Sequence, residues 1–159
     1  LADYVTVNIS SPNTKGLRDL QQKNALSELL KELVRVKNAC TAQYDRHVPL
    51  LLKVAPDLAK HEIDDVAAVI TEHTIDGLIV SNTTLSRPDT LSSRYSQEQG
   101  GLSGKPLFAP STQVLGAFYQ RTEGRIPLVG VGGIASAEDA YAKIKAGATL
   151  VQLYSALVY

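Results

Sequence analysis

The sequence has no methionine and only one cysteine, and its charges cancel, with 16 lysine and arginine residues against 16 aspartate and glutamate. A lone cysteine excludes an internal disulfide, which suits a reducing compartment. Cys40 ends the helical pattern LSELLKELVRVKNAC with no Cys-x-x-Cys and no histidine nearby, so its expected role is packing rather than chemistry. The three histidines, His47, His61 and His73, lack metal-ligand spacing, and no metal site is expected. Balanced charge leaves no field of one sign to attract nucleic acid or anionic lipid, so an anionic small ligand must be met by local groups. No run approaches the roughly 20 apolar residues of a transmembrane helix, and no signal-peptide pattern is read at the start. Leu1 opens in the middle of LADYVTVNISS and Tyr159 closes inside another apolar run, so the chain reads as an interior piece of a longer protein.

What is there is a regular alternation. With 159 residues, 44% hydrophobic and 20% charged, the chain suits one folded core. Short β-branched runs predict strands at DYVTVNI, VPLLLKVAP, DGLIVSN, IPLVGVGG and TLVQLYSAL. Between them, Leu26, Leu29, Leu30, Leu33 and Val34 predict a helix over 24–40, and Ile63, Val66, Ala67 and Ile70 a second. Val114, Leu115 and Phe118 face inward from a third, and Ser136 with Asp139 three residues on starts a fourth, which Gly147 stops. A polar connection from Thr84 to Pro110 exceeds the roughly 12 residues beyond which a structureless loop signals function or disorder.

Strands joined by helices must pair in parallel through right-handed crossovers, and strands this apolar are expected to be buried on both faces. A (β/α) barrel and a doubly wound open sheet both satisfy that pattern. Nearly every strand here ends in polar or glycine-rich sequence (NISSPN, KVAPD, SNTT, GVGG, YSA), which favours a barrel, where all strand ends face one site. An open sheet gathers such residues at one switch point.

Three stretches carry candidate chemistry. GVGGIAS runs from a strand into a capped helix, so the backbone N–H groups of Gly132 and Gly133 can meet an anion, with YSAL offering more N–H groups beside them. Taken alone, GVGG is equally a tight turn needing positive φ, and it lacks the GxGxxG and acidic residue of a dinucleotide site. Lys53 stands in LLLKVAP, a charge on a strand expected to be buried, and lysine is seldom buried unpaired. A lysine snorkelling outward from a strand end is the plain alternative. NISSPN and SNTT crowd small hydrogen-bonding groups at strand ends, which by themselves suit turns.

In this order, VNISSPNTKGLRDLQ, KVAPDL, DGLIVSNTT, GGLSGKPL, GVGGIASAEDA and GATLVQLYSAL resemble the dihydroorotate dehydrogenases, flavin enzymes of pyrimidine biosynthesis, over essentially the entire chain. The resemblance implies an α/β (β/α)8 TIM barrel, of which residues 1–159 supply about strands four to eight as a partial FMN-binding domain. Ser11 in SSPN matches the class 2, quinone-linked members, whereas class 1 members carry cysteine there. Class 2 members associate peripherally with the bacterial or mitochondrial inner membrane through amphipathic N-terminal helices outside this sequence. The resemblance implies oxidation of dihydroorotate to orotate with Ser11 as base, aided by Thr14 and a water. By the same resemblance Asn8, Asn13, Asn82 and Thr83 are expected to hold the substrate, and neutral amides suit this because they donate and accept at once. Asn8, Lys53 and Ser81 hold the ring and ribityl side of FMN, and Gly104, Gly133, Tyr154 and Ser155 its phosphate. Ser81 departs mildly from the threonine often found there. A class 1 enzyme, a dihydropyrimidine dehydrogenase type of barrel and an inactive half-barrel fragment are the alternatives.

Overall fold

The computed structural model describes residues 2–158. Strands β1 (Val5–Asn8), β2 (Leu50–Val54), β3 (Gly77–Val80), β4 (Leu128–Val131) and β5 (Leu150–Gln152) alternate with helices α1 (Lys23–Tyr44), α2 (Lys60–Glu72), α3 (Phe108–Thr122) and α4 (Ala137–Lys145). Each strand pairs in parallel with its neighbour in sequence, giving the order β1-β2-β3-β4-β5. A doubly wound sheet reverses its strand order at a switch point and carries helices on both faces. Here the order never reverses, and α1 packs on α2, α2 on α3 and α3 on α4 as one layer. The expected (β/α)8 arrangement is therefore the observed one, represented by five of its strands.

Strand alternation assigns the two faces. Leu50, Leu52 and Val54 of β2, Leu78 and Val80 of β3, and Leu128 of β4 turn to the helices, meeting Leu26, Leu30, Ile63, Val66, Ile70, Leu115 and Phe118 in one buried cluster. At roughly 25 cal/mol per Å² of apolar surface, this layer is the main stabilising term. The other face carries Leu51 and Lys53, both half-buried. Burial on both faces, expected of all the strands, is complete only for β3. β1 and β5 leave Val5, Asn8 and Leu150 exposed, because they are the two edges of the sheet and among the described residues no strand pairs with their outer sides. Cys40 is a second correction. α1 runs on to Tyr44, and the cysteine is exposed rather than packed.

Two local features set the ends of elements. Ser136 caps α4, its Oγ accepting from the N–H of Asp139 at 3.1 Å, while the Asp139 carboxylate accepts from the N–H of Ala135 at 3.0 Å. Pro110 lies in the first turn of α3, where the N–H it lacks has no intrahelical partner to lose.

At the opposite end of the sheet Asp76 fixes the register. Its carboxylate accepts from the N–H of Leu50 at 2.7 Å and pairs with Lys37 of α1 and with His47. Burial works to raise its pKa, but the Leu50 N–H, Lys37 and His47 together outweigh that and hold it below the ordinary value. A depressed carboxylate pKa contributes stability that is present above the unfolded pKa and is lost as pH falls through the folded one. In Asp76→Asn we therefore expect lower stability at neutral pH and a smaller loss on acidification below about pH 4. Denaturant midpoints measured across that range compare the two, and parallel curves would contradict the assignment.

Candidate active site

The register sets Asn8 beside Lys53 on adjacent strands. Asn8 Oδ1 then accepts from the backbone N–H (3.2 Å) and the hydroxyl (3.0 Å) of Ser10, and from Asn82 Nδ2 at 3.2 Å. Asn82 Nδ2 also lies 3.1 Å from Ser10 Oγ, and Ser10 Oγ lies 2.8 Å from the carbonyl of Lys53. The ends of β1, β2 and β3 are thus joined by neutral groups. Asn82 Oδ1 accepts from the N–H of Thr83, fixing which way the amide faces. Ser10 is fully buried and serves this network. Ser11 is half-buried, with its Oγ accepting from the N–H of Asn13 at 3.3 Å. Thr14 is exposed, and no hydrogen bond joins it to Ser11 among the described residues.

Beneath this network lies a strut that the sequence reading passed over. Arg18 donates to the carbonyls of Ser10 (3.1 Å) and Thr83 (3.1 Å) and to Asp57 Oδ2 at 2.8 Å. Asp57 also accepts from the hydroxyl of Thr84 and from the N–H of Leu85. Gln21, buried, accepts from the N–H of Ala55 at 2.9 Å. The planar guanidinium suits three fixed acceptors, a task lysine cannot repeat.

The long connection after β3 is ordered around another arginine. Arg87 donates to the carbonyls of Thr84, Leu85, Ser86, Ser96, Glu98 and Gly100, and an isolated antiparallel bridge pairs Thr84 with Leu102. This folds the loop onto the strand ends. A Cβ on Gly101 would stand 1.8 Å from Thr83 Oγ1 and 3.1 Å from Pro12, so only glycine permits the approach. Pro12 and Asn13 share a shallower depression with the 97–100 stretch of this loop.

The same face opens a cleft of about 580 Å³. Lys53, Ser81, Asn82, Thr83, Gly104, Gly133, Tyr154 and Ser155 all line it. Asn8 reaches this group through Asn82, whereas Ser11, Asn13 and Thr14 lie outside its lining. The Lys53 ammonium makes no hydrogen bond or ion pair among the described residues, and burial pushes its pKa below the ordinary lysine value. Half-burial replaces the full burial expected, since the face it occupies is the open one. Gly104, Gly132 and Gly133 take positive φ (75°, 110° and 72°). A Cβ on Gly104 would meet nothing within 4 Å, so its backbone borders open space. One on Gly133 would strike Phe108 at 2.5 Å, which confines that turn to glycine. Ser155 Oγ lies 3.4 Å from Ser103 Oγ, bringing the loop after β5 against the loop after β3. Tyr154 is 81% exposed.

A model of the family described as dihydroorotate dehydrogenase matches residues 1–159. The chain belongs to that family. It is 55% identical to the dihydroorotate dehydrogenase (quinone) of Xanthobacter autotrophicus over 100% of this chain and 44% of that protein. Identity to the Parvibaculum lavamentivorans protein of the same name is 57% over the same shares. To the mitochondrial one of Oryza sativa it is 52%, over 99% of this chain and 34% of that protein. The ligand-free DHODH of Eimeria tenella superposes with a TM-score of 0.93 at 40% identity, covering 99% of this chain and 47% of that one. The Eimeria tenella DHODH in complex with ferulenol gives 0.90 at 42% identity, covering 99% and 46%. The chain thus spans under half the length of the relatives it matches.

Among the described residues no helix is long and apolar enough to cross a membrane, and no cluster of histidine, cysteine, aspartate and glutamate is arranged for a metal. For the family's dehydrogenase barrel the strut makes a specific demand. Asp57→Ala removes the acceptor of Arg18, Thr84 and Leu85 together. We expect a loss of about 1–3 kcal/mol in the full-length protein, read from the denaturant midpoint, with faster proteolysis between Thr84 and Gly104. Unchanged cleavage there would contradict the role given to Asp57.

Proposed function

We propose that this chain is the cofactor- and substrate-bearing part of an FMN-dependent dihydroorotate dehydrogenase that oxidises (S)-dihydroorotate to orotate in pyrimidine biosynthesis, with a quinone as electron acceptor. The observation that carries the reading is the convergence, in one cleft, of a lysine without a partner among the described residues, hydroxyl and amide groups, glycine turns from the loops after β3 and β4, and the backbone of the loop after β5. The quinone-linked naming of relatives 52–57% identical supports the acceptor. Serine at Ser11, the position of cysteine in class 1 members, agrees with it. The five strands are strands four to eight of the barrel. Peripheral attachment to an inner membrane belongs to segments outside these residues.

The residues fit FMN on two features of this structure. The Gly104 backbone borders open space in the cleft, and the Gly133 N–H, in a turn that lines the cleft, has no acceptor among the described residues. Lys53 supplies a partly desolvated cation with no partner among the described residues, suited to a ring that becomes anionic on reduction. Gly104, Gly133, Tyr154 and Ser155 would hold the phosphate, and Asn8, Lys53 and Ser81 the ring and ribityl side. When bound, FMN supplies the hydride acceptor.

The chain's own residues supply the rest. Asn8, Asn13, Asn82 and Thr83 orient the substrate through groups that donate and accept without placing a net charge beside the ring. Ser11 takes the proton from C5. Its Oγ already accepts the Asn13 N–H, which stabilises negative charge developing on the oxygen. Its own hydroxyl proton leaves toward Thr14 through a water, since Thr14 makes no direct bond to it. The loop organised by Arg87 lies beside these groups, Gly101 standing against Thr83 and Pro12.

Replacing Ser11 by alanine in the full-length enzyme is expected to lower turnover about 10²–10⁴-fold, with flavin still bound. Ser11→Cys should keep part of the activity, with its profile moved toward higher pH. Near-wild-type single-turnover flavin reduction in Ser11→Ala would overturn the assignment.

A further inference from the structure

Lys143 is fully buried in α4, yet it forms no ion pair among the described residues. Its stem runs alongside Gly130 of β4, where a Cβ would stand 3.1 Å from Lys143 Cβ and 3.3 Å from its Cδ. Absence of a side chain at Gly130 opens the channel through which the lysine reaches the top of the sheet. There its ammonium donates to Ser111 Oγ, lies 3.5 Å from the carbonyl of Phe108 and stands 5.1 Å from the Phe108 ring. Ser111 Oγ in turn lies 2.7 Å from the carbonyl of Leu107 and 3.2 Å from that of Gly132.

This geometry bears directly on the glycine turn. In a planar trans peptide the C=O and the next N–H point in opposite directions. With the Gly132 carbonyl turned toward Ser111 Oγ, on which the Lys143 ammonium sits, the Gly133 N–H turns away from both. No acceptor within the chain takes that N–H among the described residues. Gly132, Gly133 and Leu107 all line the cleft. A buried cation therefore stands on the carbonyl side of the turn and leaves the amide side for an anion.

We infer that Lys143 is a positioning residue for the phosphate end of the cleft, orienting the Gly132–Gly133 turn through Ser111 and placing behind it a buried positive charge that a phosphate monoester dianion complements. The inference rests on the FMN reading above and goes beyond it, because Lys143 itself does not line the cleft.

Burial lowers the Lys143 pKa to about 8, with Asp139 on the same helix acting weakly the other way. Phe108 and Ser111 from α3, Gly130 from β4 and the neighbouring Ala148 bring no charge to it, and Lys105 is the other lysine beside Lys53 on the cleft lining. A bound dianion favours the protonated form, so binding and protonation are linked.

The test titrates the full-length apoprotein with FMN and with riboflavin, which shares the ring and lacks the phosphate. In Lys143→Met we expect FMN affinity to fall about tenfold or more, the scale of one charge pair across a protein interior, with riboflavin affinity nearly unchanged. Equal losses for both ligands, or no loss for either, would overturn the inference. Should Lys143→Met fail to fold, the wild-type protein decides. Between pH 7 and 9.5 the phosphate stays a dianion and ring titration cancels in the ratio, so the preference for FMN over riboflavin should fall as Lys143 deprotonates. A flat ratio overturns the role of Lys143 while leaving the FMN reading intact; failure to bind either flavin overturns both.

Discussion

The hydrogen-bond register between β1, β2 and β3 is the constraint on which the top of this sheet depends. Side chains alternate along a strand, so a slip of one residue in β2 would carry Lys53 into the helix layer and Val54 into the cleft. It would also pull the Lys53 carbonyl away from Ser10 Oγ, the bond that ties β2 to the Asn8–Ser10–Asn82 network. Both ends of the sheet guard that register. Asp76 holds the start of β2 through the Leu50 N–H, and Arg18 with Asp57 ties together the segments that leave β1, β2 and β3.

The cleft divides its work by charge type. The side proposed for the substrate is built from neutral amides and hydroxyls that satisfy one another here and can exchange those bonds for a polar ring at small cost. Besides Lys105 on the lining, positive charge comes from two lysines that differ in kind. Lys53 is half-buried and lines the cleft, whereas Lys143 is sealed behind the glycine turn. Glycine makes both loop approaches possible, at Gly101 against Thr83 and at Gly133 against Phe108. The backbone, not the side chains, therefore shapes the end of the cleft proposed for the phosphate.

Legibility in the sequence followed locality. The five strands and four helices were readable because their patterns span a few adjacent residues, and Lys53 stood out as a charge inside an apolar run. Six ordered motifs carried the family. Arg18 and Asp57 lay inside two of those motifs and still drew no role, since their partnership joins residues 39 apart and neither looks unusual alone. Arg87 read as one polar residue in a polar loop, and its six carbonyl partners appear only once that loop folds back. Lys143 is the most hidden, a lysine in AEDAYAKIK that resembles any solvent-facing helical lysine until Gly130 is seen to admit it. Cys40 failed in the opposite direction, because extension of α1 to Tyr44 left it on the outer surface.

The central claim is that these residues form one flavin and dihydroorotate site at the C-terminal ends of parallel strands. A crystal structure of the full-length protein with bound flavin and orotate tests it most directly. The account predicts the flavin phosphate against the backbone of Gly104, Gly133 and Ser155, the ring beside Lys53, and orotate on Asn82 and Thr83 within reach of Ser11. Flavin density elsewhere, or orotate bound away from the Asn8–Asn82 network, would contradict it.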